Sequence, residues 1–117
     1  MAFRFLNFPV YKDIKEYIKN IYAISAKFPK EERFGMTNQI RRAAVSIALN
    51  LAEGSDRGSD KDFQRFINMA IGSLNETVAV IDIALDNDFV NQKNYDIILV
   101  QAEGIVKQLS GFRKSLK

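Results

Sequence analysis

Apolar residues recur at alternating steps of four and three in four separate stretches of the chain. The first series is Val10, Ile14, Tyr17, Ile21, Ile24 and Phe28, a heptad seam that falls on one side of a helix. Pro9 suits the first helical position, where its missing N–H would be unpaired anyway. Pro29 disfavours helical geometry in the residue before it, so the first helix is predicted over 9–27. Residues 28–36 are read as a connector containing Pro29 and Gly35. Thr37 is the expected N-cap of a second helix over 37–55, with core positions Ile40, Ala44, Ile47 and Leu51 and a stop at Gly54 and Gly58.

Ser59, followed three residues later by Asp62, resembles a capping box and opens a third helix over 60–87. Its seam is Phe63, Ile67, Ala70, Leu74, Thr77, Ile81 and Ala84, and Asp86-Asn87-Asp88 supplies the stop. Asn91 caps a fourth helix over 92–115, with Tyr95, Ile98, Ala102, Ile105, Leu109, Phe112 and Leu116 in register. Four amphipathic helices joined by short connections predict an all-α fold, an antiparallel up-down four-helix bundle, with 1–117 as a single domain. A coiled-coil dimer of long helices is the competing geometry. The interruptions at Pro29, Gly35, Gly54 and Gly58 argue against it.

Composition removes most catalytic chemistry. With no cysteine and no histidine in 117 residues, disulfides, zinc–thiolate sites, Ser-His-Asp triads and carboxylate–histidine di-iron sites are excluded. The carboxylates Glu53, Asp62 and Glu76 match no metal or phosphate spacing. The turn at 54–58 contains glycine but lacks the Walker lysine and a preceding strand. A helix-turn-helix over 41–75 fails because its second helix is far too long for the motif. The chain is therefore expected to be no enzyme, with no catalytic, cofactor-binding or metal residue and no cofactor. The uninterrupted apolar runs are short, and the apolar start is broken at Arg4 and Asn7. A cytoplasmic protein with no membrane partner is the resulting expectation.

The net charge of +3 hides a strong asymmetry. Residues 1–45 carry +5, residues 46–105 carry −6, and residues 106–117 carry +4. In an antiparallel bundle the first and last helices lie side by side and pool positive charge, which attracts nucleic acid or another anionic partner. The candidate contacts are Lys12, Lys15, Lys19, Lys27, Lys30, Arg33 and Arg41, with Arg113, Lys114 and Lys117 from the tail. Arg41, off both seams of its helix, is the freest for an external contact. Phe3, Phe5 and Phe8 are expected to cap the bundle or dock on a neighbouring subunit rather than stack on bases.

The second helix carries a further stripe. At ~100° per residue, Gln39, Arg42, Ser46, Asn50 and Glu53 share one narrow band, with Val45, Leu49 and Ala52 beyond it. Apolar residues on both flanks of a polar band suggest a helix covered from two directions, so Val45, Leu49 and Ala52 are candidate oligomer-interface residues. The third helix presents a matching band of Asp62, Arg65, Met69, Ser73 and Glu76. Folding back at the 54–59 turn places Arg42 near Ser73 and Glu76, Asn50 near Arg65, and Glu53 near Asp62 and Arg65. Gln39, Arg42, Ser46, Asn50, Glu53, Arg65, Ser73 and Glu76 then form a structural polar ladder between two helices, or the walls of a polar binding cleft.

The same residues carry a family resemblance. Pro29, Gln39 to Ile47, Asn50 to Gly54, Phe63-x-x-Phe66 and Ala70 to Glu76 resemble the four-helix-bundle family of 23S rRNA intervening-sequence proteins. That family is related to the accessory variability proteins of diversity-generating retroelements. The resemblance implies a small antiparallel bundle, a ring-like homo-pentamer and no enzymatic activity; retroelement relatives bind nucleic acid through a basic surface. The expected function is a non-enzymatic homo-oligomer that binds RNA or other nucleic acid. The alternative is a protein–protein adaptor or scaffold with a protein partner and no direct nucleic-acid contact.

Overall fold

A computed structural model describes residues 2–117. Its helices are α1 (Pro9–Ser25), α2 (Met36–Ser55), α3 (Asp60–Asp86) and α4 (Gln92–Ser115), with short 3-10 turns at Arg4–Asn7 and Lys30–Glu32. Each helix packs on two neighbours in the cyclic order α1–α2–α3–α4, so α1 faces α3 across the core. The particle measures 44 × 24 × 20 Å, its long axis set by the 27 residues of α3 at ~1.5 Å each.

All seven seam residues of α3 are buried, and Val10, Ile14, Tyr17 and Ile21 are buried with them from α1. Ile40, Ala44, Ile47 and Leu51 of α2 and Ile98, Ala102, Ile105 and Leu109 of α4 complete the core. One polar contact crosses it diagonally. The Thr77 hydroxyl donates to Leu74 O at 2.6 Å, leaving its oxygen to accept the Tyr17 phenol at 2.7 Å. Burial pushes the Tyr17 hydroxyl up from 10.0 to about 12, so the phenol stays protonated as a donor. A polar pair in an apolar core is satisfied in only one register, and this one fixes α1 against α3.

Gly54 corrects one expectation. It does not end α2, which continues to Ser55. A Cβ at Gly54 would stand 2.6 Å from Phe66 Cβ and 2.9 Å from Phe63 Cδ1. The glycine is therefore a point of close approach between α2 and α3, just before the turn that joins them.

Helix ends follow local chemistry where the partner is near in sequence. Ser59 Oγ accepts from Asp62 N at 3.1 Å and Asn91 Oδ1 from Asn94 N at 2.8 Å, two N-caps that satisfy otherwise orphaned amides. Thr37 is not the cap of α2. The helix begins one residue earlier, and Met36 N donates to Glu32 Oε1 at 3.1 Å. α1 ends at Ser25 rather than near Lys27, followed by a turn in which Phe28 N donates to Ser25 O. This turn delivers Phe28 to the core beside Phe89.

Phe8 and Phe63 each meet Phe112 edge-on, with centroids 5.1 Å apart, closing the end of the bundle where the chain enters. Arg4 lies within 6 Å of the Phe8 and Phe63 rings and donates to Ser55 O at 3.0 and 3.3 Å, capping the α2 C-terminus. Phe3 remains 71% exposed. α3 also departs from the sequence expectation about membranes: by length and composition it could span one, with an 18-residue window of mean hydropathy 1.3. In the fold its apolar seam is buried against the other helices, and 39% of that window is buried.

Candidate nucleic-acid surface

α1 and α4 lie side by side and antiparallel. Asn20 Nδ2 donates to Gln101 Oε1 at 2.9 Å, and Gln108 Nε2 to Asp13 Oδ2 at 2.7 Å. The end of α4 therefore meets the start of α1, the two joined by the Phe8–Phe112 contact. Lys12, Lys15 and Lys19 are exposed at helical spacing on the outer side of α1. Lys15 Nζ lies 5.2 Å from the Tyr11 centroid. Among the described residues none of the three pairs with a carboxylate. Lys114 and Lys117 are exposed at the same end of the bundle, where the Lys117 amide donates to Asp60 Oδ2.

The other candidates do not join this surface. Lys27, Lys30 and Arg33 are exposed at the opposite end, in and around the α1–α2 connector. Arg113 is half-buried and donates to Asn68 Oδ1 at 2.6 Å, tying α4 to α3. Arg41 is not free. Its guanidinium donates to Ser25 Oγ at 2.9 Å and Tyr22 O at 3.2 Å, and lies 4.6 Å from the Tyr22 centroid. It ties α2 to the last turn of α1, where Tyr22 O also accepts from Ala26 N and a cation is favoured. Periodicity could not show this, because Arg41 meets α1 only after the connector folds back. Arg4, overlooked as a capping group, caps the C-terminus of α2.

The polar band on α2 meets that on α3 in an open depression of about 400 Å³, lined by Phe34, Gly35, Asn38, Gln39, Arg42, Ala43, Ser46, Ser73 and Glu76. Arg42, Ser73 and Glu76 thus share one site, yet Arg42 and Glu76 form no ion pair. Asn50 Nδ2 donates to Ser46 O within its own helix, not to α3. Only the turn end is linked: Arg57 pairs with Glu53 at 2.7 Å and reaches Asp62 at 3.8 Å, and Arg65 pairs with Asp62 at 2.9 Å. Arg57, outside the ladder read from the sequence, makes the cross-connection. Away from the turn, the two polar bands bound an open cleft.

Val45 and Ala52 are half-buried, and Leu49 is 61% exposed. Leu49 and Ala52 border a groove of about 670 Å³ whose opposite wall is Ala2, Phe3, Arg4 and Phe5. Part of the second cover on α2 is thus the protein's own N-terminal segment. No cluster of three or more Asp or Glu suited to hold a metal ion occurs among the described residues.

Known proteins show the same architecture. Residues 7–111 match the family described as 23S rRNA-intervening sequence protein. A crystal structure of a Bacteroides thetaiotaomicron protein of unknown function, from the S23 ribosomal protein family, superposes with a TM-score of 0.78 at 26% identity. The alignment covers 90% of this chain and 98% of that one. No curated protein matches. The matched span takes in α1, α2, α3 and most of α4, and the chain belongs to the 23S rRNA-intervening sequence protein family.

Proposed function

We propose that this protein is a non-enzymatic, homo-oligomeric helical bundle that binds RNA, or nucleic acid more broadly, through phosphate contacts in the cytoplasm. The observation that carries the reading is the exposed row Lys12, Lys15 and Lys19 with no carboxylate partner, at a helix whose start adjoins Lys114 and Lys117. Asp13, on the same helix, accepts instead from Gln108. Clustered unpaired lysines bind phosphates by releasing counterions, without base specificity. Repeating this row around the ring-like homo-pentamer that the family resemblance implies multiplies the contacts, with Val45, Leu49 and Ala52 as candidate interface residues.

The test is retention of mixed single-stranded RNA on a filter at low and moderate salt. Five lysine–phosphate contacts, at ~0.7 counterion each for single strands, predict about a 100-fold loss of affinity between ~50 and ~200 mM salt. No retention at the lower salt overturns the proposal.

A protein adaptor is the second reading, favoured by Val100 at 73% and Ile97 at 44% exposure on the outer side of α4. One stoichiometric protein captured in a nuclease-resistant pull-down, without RNA retention, selects it instead.

A further inference from the structure

Phe34 is 87% exposed, which forgoes the ~1.5–3 kcal/mol that burying such a ring supplies. It stands at the lip of the α2–α3 depression, and Arg33 lies toward its ring at 5.8 Å from the centroid. Behind it are Asn38, Gln39 and Arg42 from α2 and Glu76 from α3. None of these four side chains hydrogen-bonds or ion-pairs within the protein among the described residues. An aromatic platform, an adjacent cation and unpaired polar groups of both signs are the parts with which proteins hold a splayed-out base.

We infer that this depression is a binding site for one unpaired guanine base, stacked on Phe34 and read by Arg42 and Glu76. The inference rests on the RNA-binding reading and adds base recognition to it. Guanine presents N1–H and N2–H donors side by side, which a carboxylate accepts together. Its O6 and N7 accept from an arginine. Adenine lacks that paired donor edge, and uracil flanks its single N–H with two carbonyls that repel Glu76. The volume of about 400 Å³ lies within the range of small-ligand sites. Arg33, beside the ring, neutralises the attached phosphate. The base comes from an RNA strand or from a free nucleotide, and the experiment separates the two.

Fluorescence anisotropy with labelled single-stranded oligoribonucleotides provides the test, comparing an all-uridine strand with the same strand carrying one central guanosine. The full chain is expected to bind the guanosine strand at least ~5-fold tighter, the lower end of what one bidentate base-edge contact discriminates. Phe34→Ala and Glu76→Gln, both at exposed positions, should each erase that preference and leave the salt dependence unchanged. Equal affinity for the two strands, or a preference surviving both substitutions, overturns the base site while the RNA-binding reading stands. If neither strand binds at low salt, the RNA-binding reading falls and guanosine monophosphate decides the rest. Shifts of the Asn38 and Gln39 side-chain amide signals in NMR spectra then establish a free-nucleotide site. Unchanged signals at millimolar nucleotide refute it.

Discussion

Replacing Tyr17 by phenylalanine tests the polar contact at the centre of the bundle. Because Thr77 donates to Leu74 O, the phenol is the donor in the Tyr17–Thr77 bond. Tyr17→Phe removes that bond and strands no buried donor, a loss of about 1 kcal/mol at neutral pH. Thr77→Val leaves the phenol buried without an acceptor and is expected to cost about 1–3 kcal/mol. The double variant should cost less than the sum of the two. Alkaline pH reverses the order. The hydroxyl titrates at 10.0 when unfolded and about 12 when folded. The folded chain therefore keeps a proton that the unfolded chain releases, and stability is whole below the unfolded value and declines above it. Near pH 11 the wild type has lost ~1.4 kcal/mol through this group, a loss Tyr17→Phe does not share. Their stabilities should converge near pH ~11, and the wild type should be the weaker above it. Urea unfolding followed by far-ultraviolet circular dichroism measures both proteins. Parallel pH profiles would refute the buried-donor argument.

Three further substitutions probe the remaining contacts. Gly54→Ala gains about 1 kcal/mol of helix propensity but forces its Cβ against Phe66 and Phe63. A net loss of ~1–2 kcal/mol is expected in urea unfolding, and a more stable variant would contradict close approach as the reason for glycine. Arg41→Ala should cost ~1–2 kcal/mol by releasing the end of α1 and leave RNA affinity within about twofold; a large drop in affinity with intact stability would make it an external contact. Leu49→Asp or Val45→Asp should lower the mass measured by size exclusion with light scattering while helical circular dichroism persists. An unchanged mass in both removes this side of α2 from the interface.

The helices were legible because a heptad seam repeats its signal over four to seven positions, so one ambiguous residue does not move it. The α2–α3 juxtaposition of Arg42 with Ser73 and Glu76 was legible for a related reason: a short turn ties the register of two long helices. What escaped sequence reading depends on groups brought together only by the fold. Gly54 is explained by Phe66 on another helix, Arg4 reaches Ser55 from far along the chain, and Arg41 reaches Ser25 across the connector. Charge counting placed the basic helices side by side but could not distinguish the exposed Lys12, Lys15 and Lys19 from the committed Arg41 and Arg113. Phe34 carried no periodic signal, and its exposure is visible only once α2 and α3 form the depression behind it.

The most direct test of the functional account compares the salt dependence of RNA binding in the wild type and in the triple variant Lys12→Gln, Lys15→Gln, Lys19→Gln. Losing three phosphate contacts should weaken binding at every salt concentration and flatten the plot of log affinity against log salt by ~2. An unchanged affinity and slope in a folded triple variant would contradict the account.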